Sequence, residues 1–210
     1  MTTNLDICTD ALRKIGVVAI GLTASAEETE MARRALARMM RSWQNLGYNL
    51  WAVSSVTVPL TTAASYVLAG RPLELHTVRL SRSGIETPMQ RFNREQYDSL
   101  PQKTSTGLPT CFYYDRQAIT GTVYVWPVLA VAAGQTLVIS YTRAFGDVVL
   151  ASDLDAPQEW EDAIVYGLAA RLMDEFSQTT GNVIARAEDE LRKALAFDRD
   201  ENVYFVGDGY

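Results

Sequence analysis

The 210-residue sequence has a single histidine and two cysteines, and these scarcities exclude a good deal. His76 alone cannot build a zinc site from Cys and His ligands at the usual spacing. It sits in a predicted strand, where the plain reading is a surface or capped core histidine. Cys8 falls on the apolar face of a predicted helix and Cys111 in an aromatic strand. Neither position offers the electropositive setting that activates a thiol. Both read as reduced, buried residues of a protein assembled in cytoplasm. Long apolar runs are missing as well: the best candidate, Val123 to Ala133, is broken by Pro127 and falls short of the roughly 18 to 20 residues of a membrane span. The opening MTTNLDICTD lacks the basic and apolar regions of a secretion signal. Positive charge is in deficit, with 19 Lys and Arg against 25 Asp and Glu for a net charge of −6. That balance argues against a general grip on nucleic acid, which needs clustered cations. No G-x-x-x-x-G-K-[ST], G-x-G-x-x-G or G-x-S-x-G motif occurs.

What is present is ordinary for a soluble globular protein: 48% apolar and 21% charged residues. The length suffices for one good core, or a core with a satellite module. Helical spacing comes first. Leu5, Cys8, Leu12 and Ile15 predict a helix from Asn4, which can cap it, to Ile15, stopped by Gly16. Ser25 followed by Glu28 has the form of a capping box. Behind it Ala32, Ala35, Leu36, Met39, Trp43 and Leu46 recur at helical intervals up to Gly47. Arg34, Arg38 and Arg41 line another face of that helix.

From Tyr48 the period changes. Trp51, Val53, Val56 and Val58 favour extended chain, and segments 66–68, 74–80, 85–90, 110–116, 121–126 and 135–143 read as strands between Gly, Pro and Ser. A short helix is expected from Asn93 to Leu100. Both faces of the strand pattern are apolar, which predicts a sheet covered on both sides, with a core around Phe112, Tyr124, Trp126, Leu137 and Ile139. Helices return at 155–172, capped by Asp155 or Ala156, with Pro157 in the first turn. Trp160, Ile164, Leu168 and Leu172 form its stripe. Another helix runs from Asn182 to Phe197 through Ile184, Ala187, Leu191 and Ala194. It carries Glu188 with Arg192 and Asp189 with Lys193 as i,i+4 pairs. The last residues, DRDENVYFVGDGY, are acidic and aromatic without a period.

Two helices, a block of strands and two helices predict an α+β fold. The expectation is a helical bundle from the N- and C-terminal helix pairs (1–49 and 148–197), an inserted antiparallel β module (50–147) and an extended C-terminal arm (198–210). Trp43 and Trp160 should be buried between the helix pairs. For chemistry, Asp147, Asp153 and Asp155 are able to hold a divalent cation or simply to serve a capping loop. Glu159 and Asp162 have the types of a glycosidase pair but lie off the apolar stripe, as a solvated face would. The arginine stripe suits phosphates, solvent or a neighbouring subunit. The YVWP aromatics suit a core better than a base-stacking platform. No catalytic residue, cofactor or metal is expected. A soluble enzyme such as a cell-wall hydrolase and a nucleic-acid-binding module remain the alternatives.

ALRKIGV (11–17), SWQNLGYNLW (42–51), GLPTCFYYDRQ (107–117), VYVWPV (123–128) and DAPQEWEDAIVYGLAARL (155–172) resemble, in this order, stretches of the head-to-tail adaptors of short-tailed bacteriophages. These are also called packaged-DNA-stabilising, tail tubular or head-completion proteins. The resemblance spans nearly the whole chain and rests mainly on apolar, Gly and Pro positions. It implies a virion structural protein at the head-tail junction, assembled in the host cytoplasm. In this role a dodecameric ring binds the portal, extends the DNA channel without sequence-specific contacts, and presents a platform for a tail nozzle or fibre. It carries over no catalytic residue; a cell-wall-degrading role suggested for some relatives finds no site here. Partner contacts are expected at Tyr204, Phe205 and Tyr210 of the arm, with the portal or a neighbouring adaptor as receiver, and at Arg34, Arg38 and Arg41.

Overall fold

Where the chain changes period, it changes unit. A computed structural model describes residues 2–48, 50–178 and 181–197. Two compact units result: Met1–Trp51 together with Phe145–Tyr210, and Ala52–Ala144. The arm at 198–210 lies outside the described residues.

The first unit is helical. Its helices are α1 (Asn4–Lys14), α2 (Ala26–Asn45), α4 (Glu161–Glu175) and α5 (Val183–Phe197). At α2 the expected capping box is present: Ser25 Oγ accepts from the Glu28 amide at 3.2 Å, and the Glu28 carboxylate accepts from the Ser25 amide at 2.7 Å. At α1 the cap is one residue earlier than the sequence suggests. Thr3 and Asp6 make the box, which frees Asn4 to go inward. Asn4 is buried, and its amide donates to the carbonyls of Val149 and Ser152 at 2.9 and 3.1 Å. Leu5, expected on the inner face, is 43% exposed, and Ile7 takes its place in the core. Asp155 does not cap the helix that follows: a 3-10 turn at Gln158–Trp160 precedes α4, and Pro157 leads into it without a side-chain cap. The Asp155 carboxylate instead accepts from the Gly146 amide at 2.9 Å.

Helix α4 packs against α1, α2 and α5, and its sequence shows why it can. Ala163, Ile164, Val165, Leu168, Ala169, Leu172 and Met173 are all buried, so apolar residues cover most of its circumference, as a central helix requires. Gly167 lets it approach α2 closely; a Cβ there would lie 3.1 Å from the Trp43 ring and 3.2 Å from Met39 Sδ. Trp43 and Trp160 are buried, as the periodicity predicts, with ring centroids 5.8 Å apart. Trp51 stands 4.8 Å from Trp160 and stacks on Phe145 at 5.4 Å. The last residue before the β unit and the first after it are thus stacked within the helical unit. On α5, Val183 and Ala194 are buried, whereas Ile184, assigned to the apolar stripe by sequence, is exposed.

The second unit contains eight strands in two four-stranded sheets. One has the order β1 (Val53–Pro59), β8 (Thr136–Thr142), β3 (Glu74–Arg82), β4 (Ile85–Pro88). The other has β2 (Ser65–Leu68), β7 (Gly121–Trp126), β6 (Cys111–Arg116), β5 (Gln90–Phe92). All ladders are antiparallel except β5 with β6. Between these two the chain runs through α3 (Arg94–Asp98) and a loop, which returns it to the end where it began, as a parallel pair demands. Leu75, Val78, Leu80, Leu137 and Ile139 of one sheet share a core with Tyr66, Leu68, Phe112, Val123 and Val125 of the other. The period-2 alternation of β7 is present, but the face differs from expectation. Val123 and Val125 enter the core, while Tyr124 and Trp126 are half-buried on the opposite side. There Tyr124 meets Tyr97 of α3 and Tyr113 of β6 at 5.3 and 5.9 Å, and Trp126 Nε1 donates to the Gln102 carbonyl at 3.0 Å. The two valines suit the narrow gap between sheets, and the amphipathic rings suit a face covered only in part.

Candidate functional site

The groups weighed for chemistry are dispersed. His76 is exposed at an irregularity of β3 and hydrogen-bonds Thr142 Oγ1 at 2.7 Å. Cys8 is fully buried, and burial pushes its thiol up to about 12. Cys111 is also buried and raised, and its thiol donates to the Trp126 carbonyl at 3.2 Å. Glu159 and Asp162 are exposed. Asp147 pairs with Arg41, and Asp155 is bound to the Gly146 amide. Among the described residues no group of three or more His, Cys, Asp or Glu is placed to hold a metal ion. Nor is any described helix long and apolar enough to cross a membrane.

The arginine stripe of α2 is real and exposed, but each member has an acidic partner. Arg34 binds Glu30 at 2.8 Å, Arg38 faces Glu175 of α4 at 3.7 Å, and Arg41 faces Asp147 at 3.6 Å. Arg33 and Arg34 both hydrogen-bond Glu30 and hold its carboxyl down at about 2. Glu30 lies one turn earlier on α2, at a spacing the sequence displays, whereas Glu175 and Asp147 come from distant parts of the chain, where periodicity within α2 had no means of showing them. Such surface pairs add little stability. Tyr204, Phe205 and Tyr210 lie outside the described residues.

In the β unit the open edge beyond β5 forms a groove of about 330 Å³ lined by Arg91, Phe92, Asn93, Gln96, Tyr113 and Tyr114. Sequence reasoning did not find it, because its walls come from a strand, a helix start and a second strand joined by a crossover. In the helical unit a second groove, of about 440 Å³, lies between α1 and the approach to α2, among Leu5, Asp6, Asp10 and Thr29. Nothing in either arrangement resembles a nucleophile with its base.

Residues 2–205 match the family described as SU10 adaptor protein. The chain belongs to the SU10 adaptor protein family. The match covers both helical segments and the whole intervening β unit, so the resemblance drawn from the sequence holds at the level of the family. Membership makes the protein a structural adaptor of a phage, a virion component in which a non-enzymatic role is implied. Among curated proteins no match is found.

Proposed function

We propose that the protein is the head-to-tail adaptor of a short-tailed phage. It attaches to the portal as an oligomeric ring, a dodecamer, extends the DNA channel and gives the tail its platform. The observation that carries this reading is the family match over residues 2–205. In this reading residues 1–49 and 148–197 form the ring body, assembled in the host cytoplasm. The β-rich insertion at 50–147 receives a nozzle or fibre protein. Arg34, Arg38 and Arg41, exposed in a row on α2, and Tyr204, Phe205 and Tyr210 in the arm at 198–210 are contacts to portal or neighbouring copies. The net charge of −6 suits a channel through which DNA must leave quickly, since every phosphate held by a cation retards it.

The test is assembly on the portal of the same phage. Native mass spectrometry and negative-stain images of the mixture should show a ring of twelve copies under the portal. A chain that stays monomeric beside an intact portal overturns the proposal.

A further inference from the structure

Charge is distributed unevenly within the β unit. Residues 42–70 and 117–142 contain no Asp, Glu, Lys or Arg, and they supply the whole of β1, β2, β7 and β8. In the orders β1-β8-β3-β4 and β2-β7-β6-β5 these are the first two strands of each sheet. One flank of the unit is therefore free of charge, and it ends in two edge strands, β1 and β2, joined by the link 60–64. Val53 and Val67 stand on these edges 46% and 69% exposed. The edge strands of the other flank, β4 and β5, carry Glu86 and Arg91. Unpaired N–H and C=O groups at a sheet edge recruit other strands, so edges are usually guarded by a charge, a bulge or a covering segment. β1 has an unbroken register with β8 and no charge. Its hydrogen-bonding phase is fixed at both ends: the Arg143 amide donates to the Ala52 carbonyl and the Leu60 amide to the Gln135 carbonyl, each at 2.9 Å. Ser54, Val56 and Val58 therefore bond to β8, and Val53, Ser55 and Thr57 turn their backbone groups outward. Among the described residues no backbone bond meets them there.

The occupant of this edge must be an extended strand without charge. Nucleic acid finds no cation on the flank, and a charged segment finds no counter-charge. The β4 and β5 edges of another copy would bring Glu86 or Arg91 against a strand with nothing to answer them. The same edge of another copy fits. Two-fold pairing sets like residues near like, which repels where an edge is charged and costs nothing where it is not. We infer that β1 pairs antiparallel with β1 of a second copy about a two-fold axis at Ser55, joining two four-stranded sheets into one. Pro59 has no N–H to offer, so this register is the one that uses every outward donor. Val53 meets Thr57 of the second copy, Ser55 meets Ser55, and the three pairs exchange two bonds each. The exposed Val53 side chain then lies beside a β-branched neighbour, a favourable cross-strand pair. Such a contact closes at two copies and cannot propagate around a ring. It therefore covers the edge in the free chain and stands independently of the adaptor reading.

The test uses the full chain without portal. Sedimentation velocity and native mass spectrometry should show a dimer whose share grows with concentration. Ser55→Cys should lock it with a disulfide on mild oxidation, because the two-fold axis sets that residue opposite its own copy; Cys8 and Cys111 are buried and add no background. Ser65→Cys, exposed on β2, should stay uncross-linked. Hydrogen exchange at the amides of Val53, Ser55 and Thr57 should slow as the dimer fills, while Ser54 and Val56 stay protected throughout. Ser55→Lys with Thr57→Lys, both at exposed positions, should weaken the dimer about tenfold or more at unchanged circular dichroism. If the lysines disturb folding, Ser55→Cys and the exchange pattern decide alone. A chain that is monomeric at every concentration overturns the inference, as does a dimer that ignores the lysines or cross-links through Ser65→Cys instead. Protection at 53, 55 and 57 that appears only with portal or a tail protein also overturns it and assigns the edge to that partner. The adaptor reading fails on a different result, the absence of a ring on the portal.

Discussion

Asn4 shows what one polar residue can do when it is turned inward. Its side-chain amide satisfies the carbonyls of Val149 and Ser152, which lie on the segment leading into α4, while Thr3 takes over the capping of α1. Asn4→Ala removes these bonds from a buried position, although the Ser152 amide still donates to the Val149 carbonyl and the Asn4 amide to the Ser152 carbonyl, and its expected cost is about 1 kcal/mol in chemical denaturation. A variant as stable as the parent would show that water replaces the amide. Cys8 and Cys111 make a second residue-level expectation. Burial raises both thiols, Cys8 to about 12, so neither should react with iodoacetamide at pH 8 in the folded protein, and both should react in denaturant. For Cys8 the sign follows. The unfolded thiol ionises near its ordinary value and the folded one does not, so its contribution holds below about pH 8.5 and is lost as pH rises toward about 12. Glu30 runs the other way. Its lowered carboxyl, held by Arg33 and Arg34, supports α2 above the ordinary carboxylate range, and that support fades as pH falls toward about 2. Titration of its side-chain resonance by NMR should show the low midpoint, and Arg34→Ala should raise it.

At the scale of elements, the packing of α4 and the aromatic residues around it decide the helical unit. Trp160 touches Trp43, Tyr48 and Trp51 and is 1% exposed. Trp160→Ala should cost about 3 to 5 kcal/mol, the range for a buried large aromatic, read as a shift of the urea midpoint at unchanged slope. At the start of α2, Ser25→Ala removes one side of a capping box and should cost about 1 kcal/mol. The two substitutions share no partner, so their double variant should be additive. These elements were the readable part of the sequence. The capping box of α2, the stripe through Trp43, and the alternation of β7 and β8 follow from local periods of 3.6 and 2, and the structure contains them, except that Leu46, expected to end the stripe, is 63% exposed. The caps of α1 and α4 were read wrongly because several residues there are able to cap, and their long-range partners choose among them.

For the whole molecule the decisive arrangement is a β unit set within the chain of a helical one. Trp51 and Phe145 stack where the chain leaves and returns, and the Arg143 amide donates to the Ala52 carbonyl at 2.9 Å just beyond. The two chain segments are close at that point, so residues 52–144 should be replaceable by a short Gly-Ser turn. The shortened protein is expected to keep its helical circular dichroism and portal binding and to lose tail attachment. Loss of portal binding with the helices intact would count against that division of labour. Removing 198–210 should leave the melting temperature of the free chain nearly unchanged and weaken ring formation, measured by native mass spectrometry.

Local order in the chain determined the element types, the α+β class, the burial of Trp43 and Trp160, and, through motif order, the family. Each of these depends on residues within one or two turns, or on sequence order itself. The tertiary structure alone decided which face of β7 meets the core, how eight strands divide into two sheets, and which acids answer Arg38 and Arg41. Those outcomes depend on contacts between segments tens of residues apart. The alternation of Val123 and Val125 with Tyr124 and Trp126 fits either face equally well, until packing between the two sheets takes the valines.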